Sequence, residues 1–297
     1  MATYKEIVGT AVSNIAGTSG VVDGQIWYDT SGEAFKSKVV FPSGVWTTGG
    51  NMTYARQKFM GAGTQTSAIV VGSADPANKA ETYNGSTWSS SPNYNGTITQ
   101  NAGFGISTSA VSAGGPGTTT ASQNWNGSQW TVGPSMNAGK EQFAGAGVSN
   151  TSGLVFGGNP GYKTGTESYN GSFSTEPNLN TGRFGLGGAG TITAAIAAGG
   201  GYDPGDGPGD KGMQTELYNG SWTTVNRLVT PMLSWSIAGT TTACLGMSGY
   251  DSTSDPGSWS TLTQSWNGTV WTTLSARNSI GKRYTAGCGT QGAALLV

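Results

Sequence analysis

The sequence predicts an all-β protein, and three observations predict it. A short element that reads aromatic, turn, aromatic recurs along the chain, as in YNGSTW at 83–88 and WNGTVW at 266–271. Six Gly-rich pairs of segments alternate with it, and each pair has the pattern of two short strands around a polar turn. No segment keeps the 3.6-residue periodicity of an amphipathic helix. Four strands per repeat is the size of one β-propeller blade.

The aromatic element predicts the third and fourth strands of each repeat. Its copies are YNGSTW (83–88), WNGSQW (125–130), YNGSF (169–173), YNGSW (218–222), WNGTVW (266–271) and a degenerate FPSGVW (41–46). Asn84-Gly85-Ser86 fits the acceptor pattern for N-glycosylation, but Asn-Gly between strand-forming aromatics is also the preferred hairpin turn. Because the triplet recurs in one register, we interpret it as a turn.

The Gly-rich pairs predict the two inner strands of each repeat. They are FMGAGTQTSAIVVGS (59–73), NAGFGISTSAVSAGG (101–115), FAGAGVSNTSGLVFGG (143–158), FGLGGAGTITAAIAAGGG (184–201), SIAGTTTACLGMSGY (236–250) and TAGCGTQGAALLV (285–297). GLGGAG at 185–190 matches the dinucleotide fingerprint, but no helix pattern follows it, so it also predicts an inner strand.

The order of the segments at the two ends predicts a closed ring. The chain ends after the first two strands of a repeat, and its first repeat begins with strands three and four at about 36–47. We therefore predict a six-bladed propeller over residues 36–297, whose last blade is closed by N-terminal and C-terminal strands. Such closure removes open sheet edges. Residues 1–35 form a short N-terminal arm in this prediction.

Composition limits the classes of function. The 14 basic and 15 acidic residues give a net charge of -1, which provides no basic surface for nucleic acid and no polybasic membrane patch. The chain has no histidine, so it lacks the commonest general base and metal ligand. Cys244 and Cys288 lie in small apolar stretches, which favours buried free thiols. The first ten residues lack the pattern of a signal peptide, and no run is long enough to span a membrane.

The repeats carry a family resemblance. A strand ending in Gly-Gly, an aromatic strand, a Trp, a turn and often an Arg together resemble kelch-type repeats. GQIWYDTSGEAFK (24–36) followed by TYARQKFMGAGTQTSAIVVGS (53–73) is similar to kelch-like structural proteins of tailed marine bacteriophages. The resemblance implies a non-enzymatic virion protein, assembled in the host cytoplasm and carried on a tail fibre or as a capsid decoration. It implies other virion proteins as partners, and a homo-oligomer is open.

Two insertions predict a binding rim on one face of the propeller. Loops that join strands two to three and four to one emerge on the same face, and GYDPGDGPGDKG (201–212) and GYDSTSDPGSW (249–259) enlarge it. Exposed aromatics beside carboxylates suit a host-surface glycan or a protein partner. The predicted binding residues are Tyr162, Tyr202, Asp203, Asp206, Asp210, Tyr250, Asp251, Asp255 and Trp259. The 201–212 loop could alternatively wrap Ca²⁺, or be a rigid solvated loop; we predict no cofactor.

We expect attachment to the virion through the arm, at Ile26, Trp27 and Tyr28. Two alternative functions stay open at the level of the sequence. A carbohydrate-active enzyme would need paired carboxylates at the channel mouth. A cellular kelch-type adaptor would bind a peptide through basic rim residues such as Arg56, Arg183 and Arg283.

Overall fold

A computed structural model describes residues 13–15, 26–29, 34–37, 44–73, 75–201, 212–251, 258–279 and 281–297. The chain divides into two compact units, Met1–Val45 and Trp46–Val297. The described residues are all-β, and the single helix among them is a short 3-10 turn at Pro116–Thr118. The all-β prediction is therefore confirmed.

The first unit contains one small sheet. Its strands are Ser13–Ile15 (β1), Ile26–Asp29 (β2) and Ala34–Ser37 (β3). β2 is central, because it pairs parallel with β1 and antiparallel with β3. The predicted roles of an arm and a propeller, divided after residue 35, stay a prediction.

The second unit is a β-propeller with five four-stranded blades. Blade 1 is Met60–Thr64 (β4), Ser67–Val71 (β5), Ala80–Tyr83 (β6) and Trp88–Ser91 (β7). Blade 2 is Ala102–Ile106 (β8), Ser109–Ala113 (β9), Ser122–Trp125 (β10) and Trp130–Val132 (β11). Blade 3 is Ala144–Ser149 (β12), Ser152–Phe156 (β13), Thr166–Tyr169 (β14) and Phe173–Glu176 (β15). Blade 4 is Gly187–Gly190 (β16), Ala195–Ala198 (β17), Thr215–Tyr218 (β18) and Trp222–Val225 (β19).

Blade 5 carries an extra small sheet. The extra sheet consists of Met232–Leu233 (β20), Tyr250–Asp251 (β23) and Ser258–Trp259 (β24). The four strands of the blade itself are Ser236–Gly239 (β21), Cys244–Met247 (β22), Thr263–Trp266 (β25) and Trp271–Thr273 (β26). All pairings within the five blades are antiparallel, and each strand pairs with its neighbours within the blade.

The prediction of six four-stranded blades is wrong. The sixth position around the ring holds a two-stranded sheet of Gly287–Thr290 (β27) and Ala293–Leu296 (β28). Strands three and four were predicted at about 36–47. Residues 36 and 37 belong to β3, which pairs with β2 in the first unit, residues 44–47 form no strand, and residues 38–43 lie outside the described residues. Phe41 lies outside the described residues.

Trp46 nevertheless follows the repeat, although residues 44–50 form no strand. Its indole Nε1 donates to Thr263 Oγ1 of blade 5 at 2.9 Å. Elsewhere the same bond joins the fourth strand of one blade to the third strand of the preceding blade. These equivalents are Trp222 Nε1 to Thr166 Oγ1 at 2.9 Å and Trp271 Nε1 to Thr215 Oγ1 at 3.0 Å.

The innermost strands form a closed ring. β4, β8, β12, β16, β21 and β27 contact one another in that order, and β27 contacts β4. A residue two or three positions before the start of each of these strands holds a left-handed conformation, with φ between 52° and 60°. These residues, here called the mouth ring, are Lys58, Gln100, Gln142, Gly185, Ser234 and Tyr284.

Backbone hydrogen bonds run continuously around the mouth ring. Each member donates its N–H to the carbonyl of the preceding member, and Lys58 donates to Tyr284, with N···O distances of 2.7–3.2 Å. The bond between Lys58 and Tyr284 joins residues near the two ends of the second unit. The ring is thus closed by backbone hydrogen bonds, which do not depend on the identity of the side chains.

The Asn-Gly elements are turns, as predicted. Tyr83 pairs directly with Trp88, and Gly85 between them has φ 94°. The side-chain Oδ1 of Asn84 accepts the N–H groups of Ser86 and Thr87 at 3.0 and 2.9 Å. Asn126 and Asn267 make the same pair of bonds in their turns. The repeated Asn is therefore explained by turn geometry.

The core consists of the wedges between blades. Small inner strands and outer aromatics fill them, and Trp125 and Trp130 pack with ring centroids 5.4 Å apart. GLGGAG also takes its predicted form, because Gly187–Gly190 is the inner strand of blade 4. Cys244 and Cys288 are buried free thiols, as predicted. Burial raises the pKa of both thiols, that of Cys288 to about 12.

Candidate functional site

One end of the propeller carries the long loops, and we call it the loop face. The loops from strand two to strand three contact the connections that lead into the next blade. Gly158 N–H, for example, donates to the carbonyl of Arg183, and Gly249 N–H donates to that of Lys282, both at 2.7 Å. The two loop types therefore share one face here, as predicted. The short turns lie at the opposite end, where Gly85 sits beside Thr66.

A cavity of about 360 Å³ runs through the centre of the ring. Its wall is made by the inner strands, and the mouth ring surrounds it on the loop face. The inner strands approach one another closely because Gly and Ala dominate them. A Cβ added at Gly145, for example, would collide with the carbonyl oxygen of Gly103 in the neighbouring blade.

A group of aromatic rings and cations lies at this mouth. The guanidinium of Arg283 is 5.5 Å from the ring centroid of Trp259 and 5.0 Å from that of Tyr284. Lys58 Nζ is 4.9 Å from the centroid of Tyr284. Trp259 is 59 % exposed, and Arg283 is also exposed. We call Lys58, Trp259, Arg283 and Tyr284 the mouth cluster.

The blade 5 insertion places Trp259 in this cluster. Trp259 on β24 pairs with Tyr250 on β23, and Tyr250 pairs with Leu233 on β20. Opposed residues of neighbouring strands point to the same side of a sheet, so these three side chains share one face. The backbone of Trp259 also approaches Gly281, where an added Cβ would collide with the Trp259 carbonyl oxygen. Gly281 thus allows the insertion to lie close to the chain that carries Arg283.

The structure brings together part of the predicted binding rim. Tyr250 and Trp259 are cross-strand neighbours, and Asp251 follows Tyr250 on β23. Tyr162 is half-buried in the blade 3 loop, where its ring packs 5.6 Å from that of Phe184. The remaining predicted residues lie outside the described residues; they are Tyr202, Asp203, Asp206, Asp210 and Asp255.

Lys58, Arg283 and Tyr284 were not predicted as parts of one site. Lys58 and Tyr284 hold the same repeat position, directly before the inner strand, and an alignment of the repeats at that position could have shown it. Nothing in the sequence signals the contact between Arg283 and Trp259, because the insertion creates it.

Arg56 and Arg183 are buried in ion pairs, so their predicted place on a basic rim is wrong. Arg56 Nη2 lies 3.0 Å from Glu81 Oε2, and Arg183 Nη2 lies 2.8 Å from Glu216 Oε1. Desolvation lowers the pKa of Arg183, and its carboxylate partner opposes that effect. Blade 3 contains the equivalent pair, between Lys140 and Glu167 at 3.3 Å.

The carboxylate in each pair also clamps the backbone. Glu216 accepts the N–H groups of Asn180 and Thr181 at 2.7 and 3.3 Å. These two residues belong to the connection that enters blade 4, so the carboxylate ties that connection to the third strand of the blade. The buried pair therefore has a structural role in addition to its mutual attraction.

In blade 5 a neutral pair takes the same positions. Gln264 accepts the N–H groups of Val229 and Thr230 at 3.0 and 3.1 Å, as Glu216 does in blade 4. Met232 stands where Arg183 stands, since its carbonyl accepts the equivalent backbone bond. Blade 2 follows the same pattern with Gln123 and Ile98. In the five four-stranded blades, charge is thus present at both members of the pair or at neither.

The predicted attachment residues Ile26, Trp27 and Tyr28 lie on β2, the central strand of the sheet in the first unit. Their predicted role stays a prediction. No cluster of three or more His, Cys, Asp or Glu suited to a metal occurs among the described residues, and most of the 201–212 loop lies outside them. Within the part of the chain that the structure describes, no helix is long and apolar enough to cross a membrane.

The architecture of the second unit defines a β-propeller, with a loop face that carries an aromatic and cationic cluster. Comparison of the sequence with protein-family models and with curated proteins gave no match.

Proposed function

We propose that this protein is a non-enzymatic, kelch-like component of a tailed-bacteriophage particle that attaches through its loop face to a host-surface glycan or a neighbouring protein. The observation that carries the proposal is the mouth cluster. It places an exposed indole and an exposed guanidinium beside the mouth ring, where Arg283 contacts both Trp259 and Tyr284. Exposed Trp, Tyr and Arg on rigid scaffolds are the groups that anchor interfaces.

The way the chain uses its buried charges supports this proposal over the two alternatives. A peptide-binding adaptor was expected to use Arg56 and Arg183, yet both are inside blades and bonded to carboxylates. A glycosidase was expected to hold two carboxylates at the channel mouth. Glu81 and Glu216 instead hold the backbone and a cation in place, which is a structural role.

The first unit supplies the attachment to the particle in this proposal, through Ile26, Trp27 and Tyr28 on β2. The protein would assemble in the host cytoplasm and leave with the virion, on a tail fibre or as a capsid decoration. Its partners would be other virion proteins, and the loop face would remain outward.

Mass spectrometry of purified particles tests the proposal. Peptides of this chain should co-purify with particles through a density gradient and stay with them after a high-salt wash. The matched control is the lysate of the same infected culture after removal of particles. Abundant peptides in the cleared lysate, with none in the washed particles, would contradict the proposal.

A further inference from the structure

The fold treats two groups of cations in the second unit differently. Arg56, Lys140 and Arg183 are buried, and each has a carboxylate partner within 3.3 Å. Lys58 and Arg283 lie at the loop-face mouth, and no ion pair joins either of them to a carboxylate of the described residues. The first group is needed for the blades, whereas the second is left available to solvent.

Arg283 is oriented for a ligand rather than for the fold. Its guanidinium contacts the rings of Trp259 and Tyr284, at 5.5 and 5.0 Å from their centroids. Such contacts use the face of the guanidinium and leave the N–H donors along its edge. Arg283 is exposed, and no side-chain hydrogen bond joins it to another of the described residues. A fork of N–H donors held in one plane matches a carboxylate, sulfate or phosphate.

Trp259 supplies the second element of a site. Its side chain is 59 % exposed although it belongs to a paired strand, and Tyr250 lies opposite it on the same face of the small sheet. Asp251 is the next residue after Tyr250, and successive strand residues point to opposite faces. The carboxylate of Asp251 is thus directed away from the aromatic face. Exposed aromatic faces of this kind stack on the apolar face of a sugar ring.

We infer that the mouth cluster binds an anionic saccharide, with the sugar ring on Trp259 and its acidic group on Arg283. Lys58 adds attraction without fixed geometry, because an ammonium group acts as a point charge. This inference rests on the proposed attachment function and names the class of ligand at the same site. A neutral glycan would stack on the indole and offer hydroxyl oxygens, but it would have no anionic group to pair with the guanidinium charge.

The test is binding of the full chain to immobilised polymers, measured by biolayer interferometry at physiological salt. The probes are sodium polygalacturonate, dextran sulfate and, as the neutral comparison, unmodified dextran. We expect binding to at least one of the two anionic polymers and none to dextran. Arg283→Gln and Trp259→Ala should each weaken that binding about tenfold or more. Arg283→Lys keeps the charge but loses the fork, so its binding should fall between wild type and Arg283→Gln.

Arg277→Gln is the matched control, because Arg277 is also exposed and lies in the same connection between β26 and β27, but the ring contacts with Trp259 and Tyr284 belong to Arg283. It should bind as wild type does, and circular dichroism should show the same fold for all variants. The inference is overturned by equal binding to dextran, by no binding to either anionic polymer, or by unchanged binding of Arg283→Gln. Tighter binding to poly-glutamate through the same residues would overturn it in favour of an acidic protein segment.

The two proposals fail separately. If the chain is present in washed particles but binds neither anionic polymer, the attachment function stands and the saccharide class is wrong. If the chain binds the polymers through Arg283 but is absent from particles, the virion assignment is wrong.

Discussion

Exchanging one buried ion pair for the neutral pair found in another blade tests how the blades are held together. The double variant Arg183→Met with Glu216→Gln gives blade 4 the residues that blade 5 already has, Met232 and Gln264. We expect the double variant to be more stable than Arg183→Met alone, and to lose less stability than the two single variants lose together.

The structure gives the expected magnitudes. Arg183 is fully buried and donates to Glu216 at 2.8 Å and to the carbonyls of Gly199 and Gln214 at 3.1 and 2.7 Å. Arg183→Met alone leaves the Glu216 carboxylate buried without a cation, which costs about 3–5 kcal/mol. The double variant removes both charges, and the side-chain oxygen of the introduced glutamine keeps the bonds to the backbone N–H groups. Its remaining cost is the Gly199 carbonyl left without a donor, about 1–2 kcal/mol, because the Gln214 carbonyl still accepts the Gly199 N–H at 2.9 Å.

The assay is a double-mutant cycle by guanidinium unfolding, followed by tryptophan fluorescence. Arg277→Met removes an exposed arginine and should change the free energy of unfolding by less than about 0.5 kcal/mol. If the double variant loses the sum of the two single losses, the pair is not a unit. The explanation of blades 2 and 5 as neutral equivalents would then be refuted.

Three further perturbations test other parts of the chain. Trp130 Nε1 is buried without a hydrogen-bond partner, because Ala80 occupies the position at which a threonine accepts the equivalent bond in other blades. In thermal unfolding, Ala80→Thr should be more stable by about 1 kcal/mol than Ala80→Val, since valine has the shape of threonine but no acceptor. Equal stability of the two variants would exclude the bond. Burial raises the pKa of Tyr94 to about 12 from 10.0, so its contribution to stability is complete below pH 10 and is lost as the pH rises through about 12. In urea titrations, Tyr94→Phe should therefore reduce the loss of unfolding free energy at alkaline pH by roughly 2–3 kcal/mol. Tyr218, whose pKa is also raised, contributes to the alkaline loss that remains. An unchanged loss in Tyr94→Phe would contradict this prediction. Deletion of residues 1–45 should leave a propeller that unfolds cooperatively but no longer joins particles, and failure of residues 46–297 to fold would show that the division is wrong.

Local geometry explains which parts of the fold the sequence could predict. Asn84 and Gly85 act within four residues, so their turn is readable from the sequence, and the inner strands repeat the same Gly-rich pattern. The strands at 36–47 were predicted by position in the repeat alone. A repeat pattern carries no information on the pairing of residues 34–37, which form β3 and pair with β2.

The candidate site was predictable only in part, for a similar reason. Tyr250 and Trp259 stand out as aromatics in an insertion, and they do lie together on the loop face. Arg183 was predicted on the rim because its carboxylate partner, Glu216, is 33 residues away along the chain, so the buried ion pair is not visible in the local sequence. Arg283 was expected on the rim, but its contact with Trp259 depends on how the insertion folds back.

The circle of hydrogen bonds around the mouth also has an electrostatic consequence. Its six N–H···O=C bonds follow one another around the circle in the same sense, so the vector sum of their dipoles largely cancels. A helix end at the same place would impose a fixed sign of potential on any ligand. Here the main chain imposes none, and substitution at Lys58 or Tyr284 can reset the charge preference of the opening while the circle stays intact.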